Sequence, residues 1–429
     1  MKIQNIRLQN YRCFEDITVN FNSKTSVIVG NNGVGKTTIL DAAAIGIGSL
    51  LLGIEGSSSP NINKNDVRFV AKEIGSTVDK QPQYPVIISC LGKINGEEID
   101  WTRQLNTENG RTTYGGANNI KQIAFEWQDR IRKGDDLIEL PLVAYYGTGR
   151  LWKQMPNNSA KQIHNRLSGY TDCLLAESNE KIMLKWFEKM TYIHLQNGEA
   201  VPELEAVKQA IVECYIESGA KASNVKVLFN VKSQQLEISY TDENDNLQVH
   251  PFHELSDGYK NTLSLVADIA YRMAILNPQL LDEVIKKTEG IVLIDEVDLH
   301  LHPIWQKTIL RTLQNIFPLV QFIVTTHSPS VISSAKSENL LILDGNSCKS
   351  FDYEVFGKDV NSILSEVMET SERPDEISAM FNDFDKCLEN GDFKTAEDRL
   401  NELRNLLGEN DNGVVRATVA LDFENDWED

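Results

Sequence analysis

The chain is poor in positive charge. Among its 429 residues, 42 lysines and arginines stand against 62 aspartates and glutamates, a formal net charge of −20. That balance excludes a protein whose whole surface embraces nucleic acid, because phosphate contacts need clustered Lys and Arg. A local groove could still come from Arg130, Arg132, Lys133, Arg150, Lys153, Lys161 and Arg166, although a solvated helix face is the simpler reading. Cysteine is sparse too. The six (Cys13, Cys90, Cys173, Cys214, Cys348, Cys387) form no CxxC pair, so neither a zinc cage nor a disulfide framework is signalled. No apolar run reaches the roughly 18 residues of a membrane span. The opening MKIQNIRLQNYRCF has no apolar stretch with a small-residue cleavage site, so a cytoplasmic chain without a membrane partner is expected. Sustained heptads are also missing. Helical spacing at 177–219 (Ile182, Leu184, Trp186, Phe187, Met190; Val207, Ile211, Tyr215) is too short and irregular for a long coiled coil.

What is present is an alternation of strands and helices. Ile3, Ile6 and Leu8, then Ile17, Val19 and Phe21, mark two strands with one solvated face each, and the apolar run at 27–30 marks a buried one. From Thr38 the pattern TILDAAAIGIGSLLLGI predicts a helix that ends in the Gly and Ser cluster at 53–60. Residues 86–92 and 98–105 predict a hairpin turning at Asn95 and Gly96, followed by a buried strand at 140–146. Strands return at 225–231 and 236–240, a helix at 255–281, and short apolar strands at 290–295 and 320–325. Buried strands alternating with helices mean an α/β fold with a parallel sheet. Beyond Gly345 the chain turns acidic and helical, with a helix pair at 375–388 and 394–407 and a tail in which Phe423 and Trp427 stand among acids.

Two segments carry phosphate chemistry. GNNGVGKT (Gly30, Asn31, Asn32, Gly33, Val34, Gly35, Lys36, Thr37) matches G-x-x-x-x-G-K-[ST] directly between a buried strand and a helix. Its glycines let backbone N–H groups curl around phosphates, and the positive end of the following helix favours them. Lys36 is expected on the β and γ phosphates of ATP and the Thr37 hydroxyl on Mg²⁺, with Thr38 among the nucleotide-binding residues. GIVLIDEVDLHLHP, residues 290–303, delivers Asp295 and Glu296 to the carboxyl end of the sheet, where ligands of open α/β folds bind. Asp295 is placed to hold Mg²⁺, and Glu296 to orient and polarise the attacking water. Such acids could merely cap the next helix, but a P-loop upstream favours the chemical role. His300 and His302 fit a structural place beside Asp298 better than a metal site.

A third segment, ELSDGYKNTLSLV at 254–266, puts Ser256 and Gly258 at a helix start, about 40 residues before the acids. It resembles the ABC signature LSGGQ, from which Asp257 and Tyr259 depart. In that family the signature of one subunit closes over the γ phosphate held by the other. The resemblance therefore implies a head-to-tail homodimer with two composite ATP sites, and adds Ser256, Gly258 and Asp298 to the nucleotide-binding residues. QFIVTTHSPSVI, at 321–332, places His327 where that family has its switch histidine, which contacts the γ phosphate.

The opening NYRCF, the early P-loop, DEVDLHLHP and THSP together resemble the RecF, structural-maintenance-of-chromosomes and overcoming-lysogenization-defect (OLD) group of soluble ABC ATPases. There, an arginine in the position of Arg12 commonly helps to hold the nucleotide. LPLVAYYGTGRLW (140–152) and RLSGYTDCLLAESNEKIMLKWF (166–187) look like the PtuA family, the ATPase subunits of Septu-type anti-phage systems. That resemblance implies a separately encoded HNH-type nuclease, assembly of dimers into a higher oligomer, and DNA as a candidate ligand. OLD proteins add a metal-dependent TOPRIM nuclease, but the D-x-D of Asp383 and Asp385 lies in a helical pattern, and the seven histidines form no H-N-H cluster. The expected architecture is an α/β, ABC-type P-loop ATPase head over 1–345, a compact, mainly helical insertion at 150–225, and a helical acidic extension at 346–429 for assembly or partner binding. A RecF-like repair ATPase on duplex DNA, or an ATP sensor with negligible turnover, would use the same residues.

Overall fold

The computed structural model describes residues 1–151, 165–176, 180–220, 222–351, 354–368 and 370–428, with the backbone alone at 150, 151 and 425–428. Its strands are β1 (Lys2–Tyr11), β2 (Phe14–Asn20), β3 (Thr25–Val29), β4 (Phe69–Ile74), β5 (Thr77–Pro82), β6 (Val86–Ile94), β7 (Glu97–Leu105), β8 (Leu142–Tyr146), β9 (Ser223–Asn230), β10 (Gln235–Thr241), β11 (Leu247–Pro251), β12 (Gly290–Ile294), β13 (Val320–Thr325), β14 (Leu340–Asp344) and β15 (Ser347–Ser350). The helices are α1 (Lys36–Ile47), α2 (Asn118–Arg132), α3 (Glu180–Asn197), α4 (Pro202–Glu217), α5 (Asp257–Leu276), α6 (Val284–Lys287), α7 (Pro303–Gln306), α8 (Ile309–Ile316), α9 (Pro329–Ser334), α10 (Val360–Glu366), α11 (Asp375–Glu389), α12 (Phe393–Leu407) and α13 (Asn412–Glu428).

The core is a six-stranded sheet in the order β15-β14-β3-β13-β12-β8, parallel except for the edge strand β15. Every residue of β3, β8, β12 and β13 is buried, as in a parallel sheet covered on both faces. Their carboxyl ends lie together, so the loops after β3, β12 and β13 converge on one edge. An antiparallel sheet, β2-β1-β6-β7, includes the expected hairpin, whose turn residues Asn95 (φ 53°) and Gly96 (φ 84°) have the left-handed geometry of a type I′ turn.

Several elements differ from expectation. The helix α2 lies where none was read, its buried side placed by Ile120, Ala124 and Trp127. The exposed hairpin β4-β5 and the short strand β11 also went unread. Residues 36–53 are long and apolar enough by composition to cross a membrane, contrary to the expectation of no such run, but 83% of them are buried inside the fold. The chain divides into compact units at Lys358/Asp359 rather than at Gly345, because β15 pairs with β14 and so belongs to the first unit. In the second unit, residues 412–428 are not a tail but a helix. Val414, Ala417 and Leu421 of α13 pack with Phe384 of α11 and Ala396, Leu400 and Leu403 of α12. Asp383 and Asp385 are exposed on α11.

Candidate nucleotide site

The P-loop joins β3 to α1. Asn31, Asn32 and Gly33 are exposed, Val34 is half-buried, and Thr38, in the first turn of α1, is buried. No side chain caps α1 and no acid lies in its first turn, so its leading N–H groups and positive end are left for an anion. Gly35 has φ 105°, and a Cβ there would lie 2.5 Å from the Phe14 ring and 2.8 Å from Cys13 Sγ. The NYRCF turn is thus packed against the loop, which gives a physical reason for the two motifs to occur together.

Lys36 is buried, and its Nζ donates to the carbonyls of Gly30 (2.7 Å) and Asn31 (2.9 Å). Burial lowers its pKa, while Asp295, Glu296 and Asp298 pull the other way. The half-buried His327 also has a lowered pKa, through burial and then the charge of Lys36, against the same three acids. These five residues share one electrostatic neighbourhood.

Asp295, 2% exposed, sits just past β12, and its amide donates to the Tyr146 carbonyl at 2.8 Å. One carboxylate oxygen accepts from the Thr37 hydroxyl at 2.8 Å and the other from the Thr325 hydroxyl at 2.6 Å. Glu296 has φ 47°, a left-handed conformation that is unusual for a residue with a side chain. Asp298 accepts from the Thr326 hydroxyl. His302 caps α7, its Nδ1 accepting from the Ile304 amide.

Other expected residues are held elsewhere. Arg12, in the left-handed region (φ 50°), donates to Asp41 at 2.6 Å and to Asp66 at 2.8 Å, and Asp41 also accepts from the Tyr145 hydroxyl at 2.8 Å. Ser256 is exposed at the start of α5 without a capping bond of its own. A Cβ on Gly258 would lie 2.8 Å from the His300 carbonyl, and Asn261 Nδ2 donates to the Leu299 carbonyl at 3.0 Å. The signature-like segment is therefore fastened to the loop that follows Asp298. In the basic segment, Arg130 pairs with Asp135, Arg132 with Glu55 and Lys133 with Asp129, while Arg166 donates to the Leu276 and Ile138 carbonyls. The side chains of Arg150, Lys153 and Lys161 lie outside the described residues. This pattern favours ordinary surface pairing over a groove.

Sequence reasoning missed Thr325, Thr326, Asp41, Asp66 and Tyr145. The doubled threonine before His327 was the available signal for the first two. The set fits ATP with Mg²⁺. An open helix start and a buried lysine suit phosphates, and the facing Thr37 hydroxyl and Asp295 carboxylate are hard oxygen donors of the kind Mg²⁺ prefers.

A family model described as an AAA domain matches residues 5–219, half of the chain, and a second AAA-domain model matches 184–333. The chain belongs to this AAA-domain family and is an ABC-type ATPase of the RecF, structural-maintenance-of-chromosomes and OLD group, close to PtuA. Among its relatives is the Septu protein PtuA of Bacillus thuringiensis, 26% identical over 80% of this chain and 75% of that protein. The Retron Ec83 probable ATPase of Escherichia coli is 25% identical over 88% of this chain and 78% of that protein. The Retron Vc95 probable ATPase of Vibrio cholerae is 27% identical over 91% and 84% respectively.

Proposed function

We propose that this chain binds and hydrolyses Mg-ATP as one half of a head-to-tail dimer, and that its nucleotide state governs a separate HNH-type nuclease in an anti-phage defence complex. The meeting of Thr37 and Asp295 at 2.8 Å, beside Lys36 and Glu296, carries the ATPase part. The P-loop amides and Lys36 would cradle the β and γ phosphates, leaving Lys36 to exchange two carbonyl partners for phosphate oxygens. Thr37 and Asp295 would hold Mg²⁺, which when bound neutralises charge on the β and γ phosphate oxygens. Glu296 would orient and polarise the attacking water, and His327 would contact the γ phosphate.

Ser256 and Gly258 stand at an open helix start, and Asn261, three residues beyond Gly258, donates to the Leu299 carbonyl in the loop after Asp298. That placement supports a role on the nucleotide of the second subunit, with Asp298 at the join. Arg12 would reach a nucleotide only by loosening its grip on Asp41 and Asp66. The defence context, the nuclease partner and higher assembly rest on similarity to the Septu protein PtuA.

The mass of the tagged protein isolated from its native operon, with and without ATP, tests the assembly. A bound HNH nuclease on a multimer of dimers supports the proposal. A partnerless protein that dimerises only with ATP and binds duplex DNA with steep salt dependence contradicts it, in favour of a RecF-like repair ATPase.

A further inference from the structure

Two successive hydroxyls just before His327 index the acidic loop after β12. Thr325, fully buried, donates from Oγ1 to Asp295 Oδ1 at 2.6 Å and accepts from the Glu296 amide at 2.8 Å through the same oxygen. Its carbonyl accepts from the Val297 amide at 3.0 Å. Thr326, also fully buried, donates to Asp298 Oδ1 and accepts from the Ser328 amide at 3.0 Å. A buried carboxylate needs a donor on each oxygen. Asp295 takes one from Thr37 and the other from Thr325. The left-handed Glu296 needs its amide anchored, and Thr325 supplies that anchor as well.

We infer that Thr325 is a positioning residue for the ATPase reaction. Its hydroxyl fixes the direction in which Asp295 presents its Mg²⁺-facing oxygen, and it holds the backbone turn that aims Glu296. Thr326 does the same for Asp298. Because His327 is the next residue, the position of the histidine is joined covalently to both hydroxyls and through them to all three acids. The inference rests on the ATPase reading and adds to it a specific coupling between His327 and the acidic loop.

Valine has the shape of threonine without its hydroxyl, and serine keeps the hydroxyl without the methyl. In the intact chain, Thr325→Val is expected to lower kcat roughly 10- to 100-fold, the scale of one lost hydrogen bond to a charged group. It should also raise the Mg²⁺ concentration for half-maximal nucleotide binding about tenfold, while metal-free ATP binding is unchanged. Thr325→Ser is expected to stay within about threefold of wild type on both measures. Thr326→Val should lower kcat without moving the Mg²⁺ dependence, since Asp298 is not the metal-facing acid. Wild-type kcat and Mg²⁺ dependence in Thr325→Val overturn the inference. So does a serine variant as impaired as the valine one, which would mean that packing rather than the hydroxyl matters. A wild-type protein without hydrolysis would instead count against the ATPase reading, and the Mg²⁺ dependence of nucleotide binding would still decide the role of Thr325.

Discussion

Thr37 and Asp295 lie 258 residues apart in the chain, and the hydroxyl of one donates to the carboxylate of the other at 2.8 Å. The contact joins the first turn of the P-loop helix to the end of β12, two strands from β3 in the same sheet, and it leaves Lys36 beside three acids that the rest of the fold keeps half-buried or buried. Such a concentration of negative charge around one buried lysine is suited to a ligand that brings phosphate and a divalent cation together.

Lys36→Ala should therefore remove nucleotide binding while the fold persists. Titration of a fluorescent ATP analogue checks it, with thermal unfolding as the control. Binding within a few-fold of wild type would show that the P-loop amides suffice.

Arg12 is the residue for which resemblance and geometry differ. Its bonds to Asp41 and Asp66 tie the NYRCF turn to α1 and to the root of β4. Arg12→Ala is expected to cost about 1–3 kcal/mol of stability, reduced by the partial exposure of the arginine and of Asp41. Urea unfolding measures this. Unchanged stability with weakened ATP binding would restore Arg12 to the nucleotide.

A second brace sets the signature helix against the sheet. Asp268 of α5 accepts from the Tyr146 hydroxyl at 2.6 Å and from Arg272 at 2.8 Å, and Arg272 also donates to the carbonyls of Gly169 and Thr171. Asp268→Ala would leave a buried guanidinium without its carboxylate and should destabilise the protein by about 3–5 kcal/mol. A loss under 1 kcal/mol on denaturant unfolding would show that the carbonyls alone can hold Arg272.

Partner binding by the acidic extension needs a gentler test than truncation. Removing 414–429 deletes Val414, Ala417 and Leu421 from the core of the second unit and would unfold it. Phe423 is 59% exposed and Val419 is 63% exposed on α13, while the Trp427 side chain lies outside the described residues. Phe423→Ser with Val419→Ser is expected to leave the melting temperature unchanged and to reduce co-purification of the proposed nuclease partner. Undiminished co-purification would place the partner elsewhere.

The P-loop and the two acids were legible because each is local. A buried strand, a loop and a helix start are contiguous in Gly30–Thr37, and four apolar residues lead straight to Asp295. The signature-like Ser256 and Gly258 were legible as a helix start for the same reason. What could not be read is every bond that joins distant segments: Thr325 to Asp295, Tyr145 to Asp41, and Arg12 to Asp66. The unread helix α2 and the helical α13 have another cause. Their apolar positions recur at helical spacing, Ile120, Ala124 and Trp127 in one and Val414, Ala417 and Leu421 in the other, but they are diluted by polar and acidic neighbours.

Steady-state ATP hydrolysis by wild type and Glu296→Gln, at saturating Mg-ATP and with binding measured in parallel, tests the central claim most directly. The substitution should lower turnover by roughly 10² to 10⁴, the contribution of a general base, with ATP still bound. Turnover equal to wild type would contradict the placement of the chemistry at the end of β12.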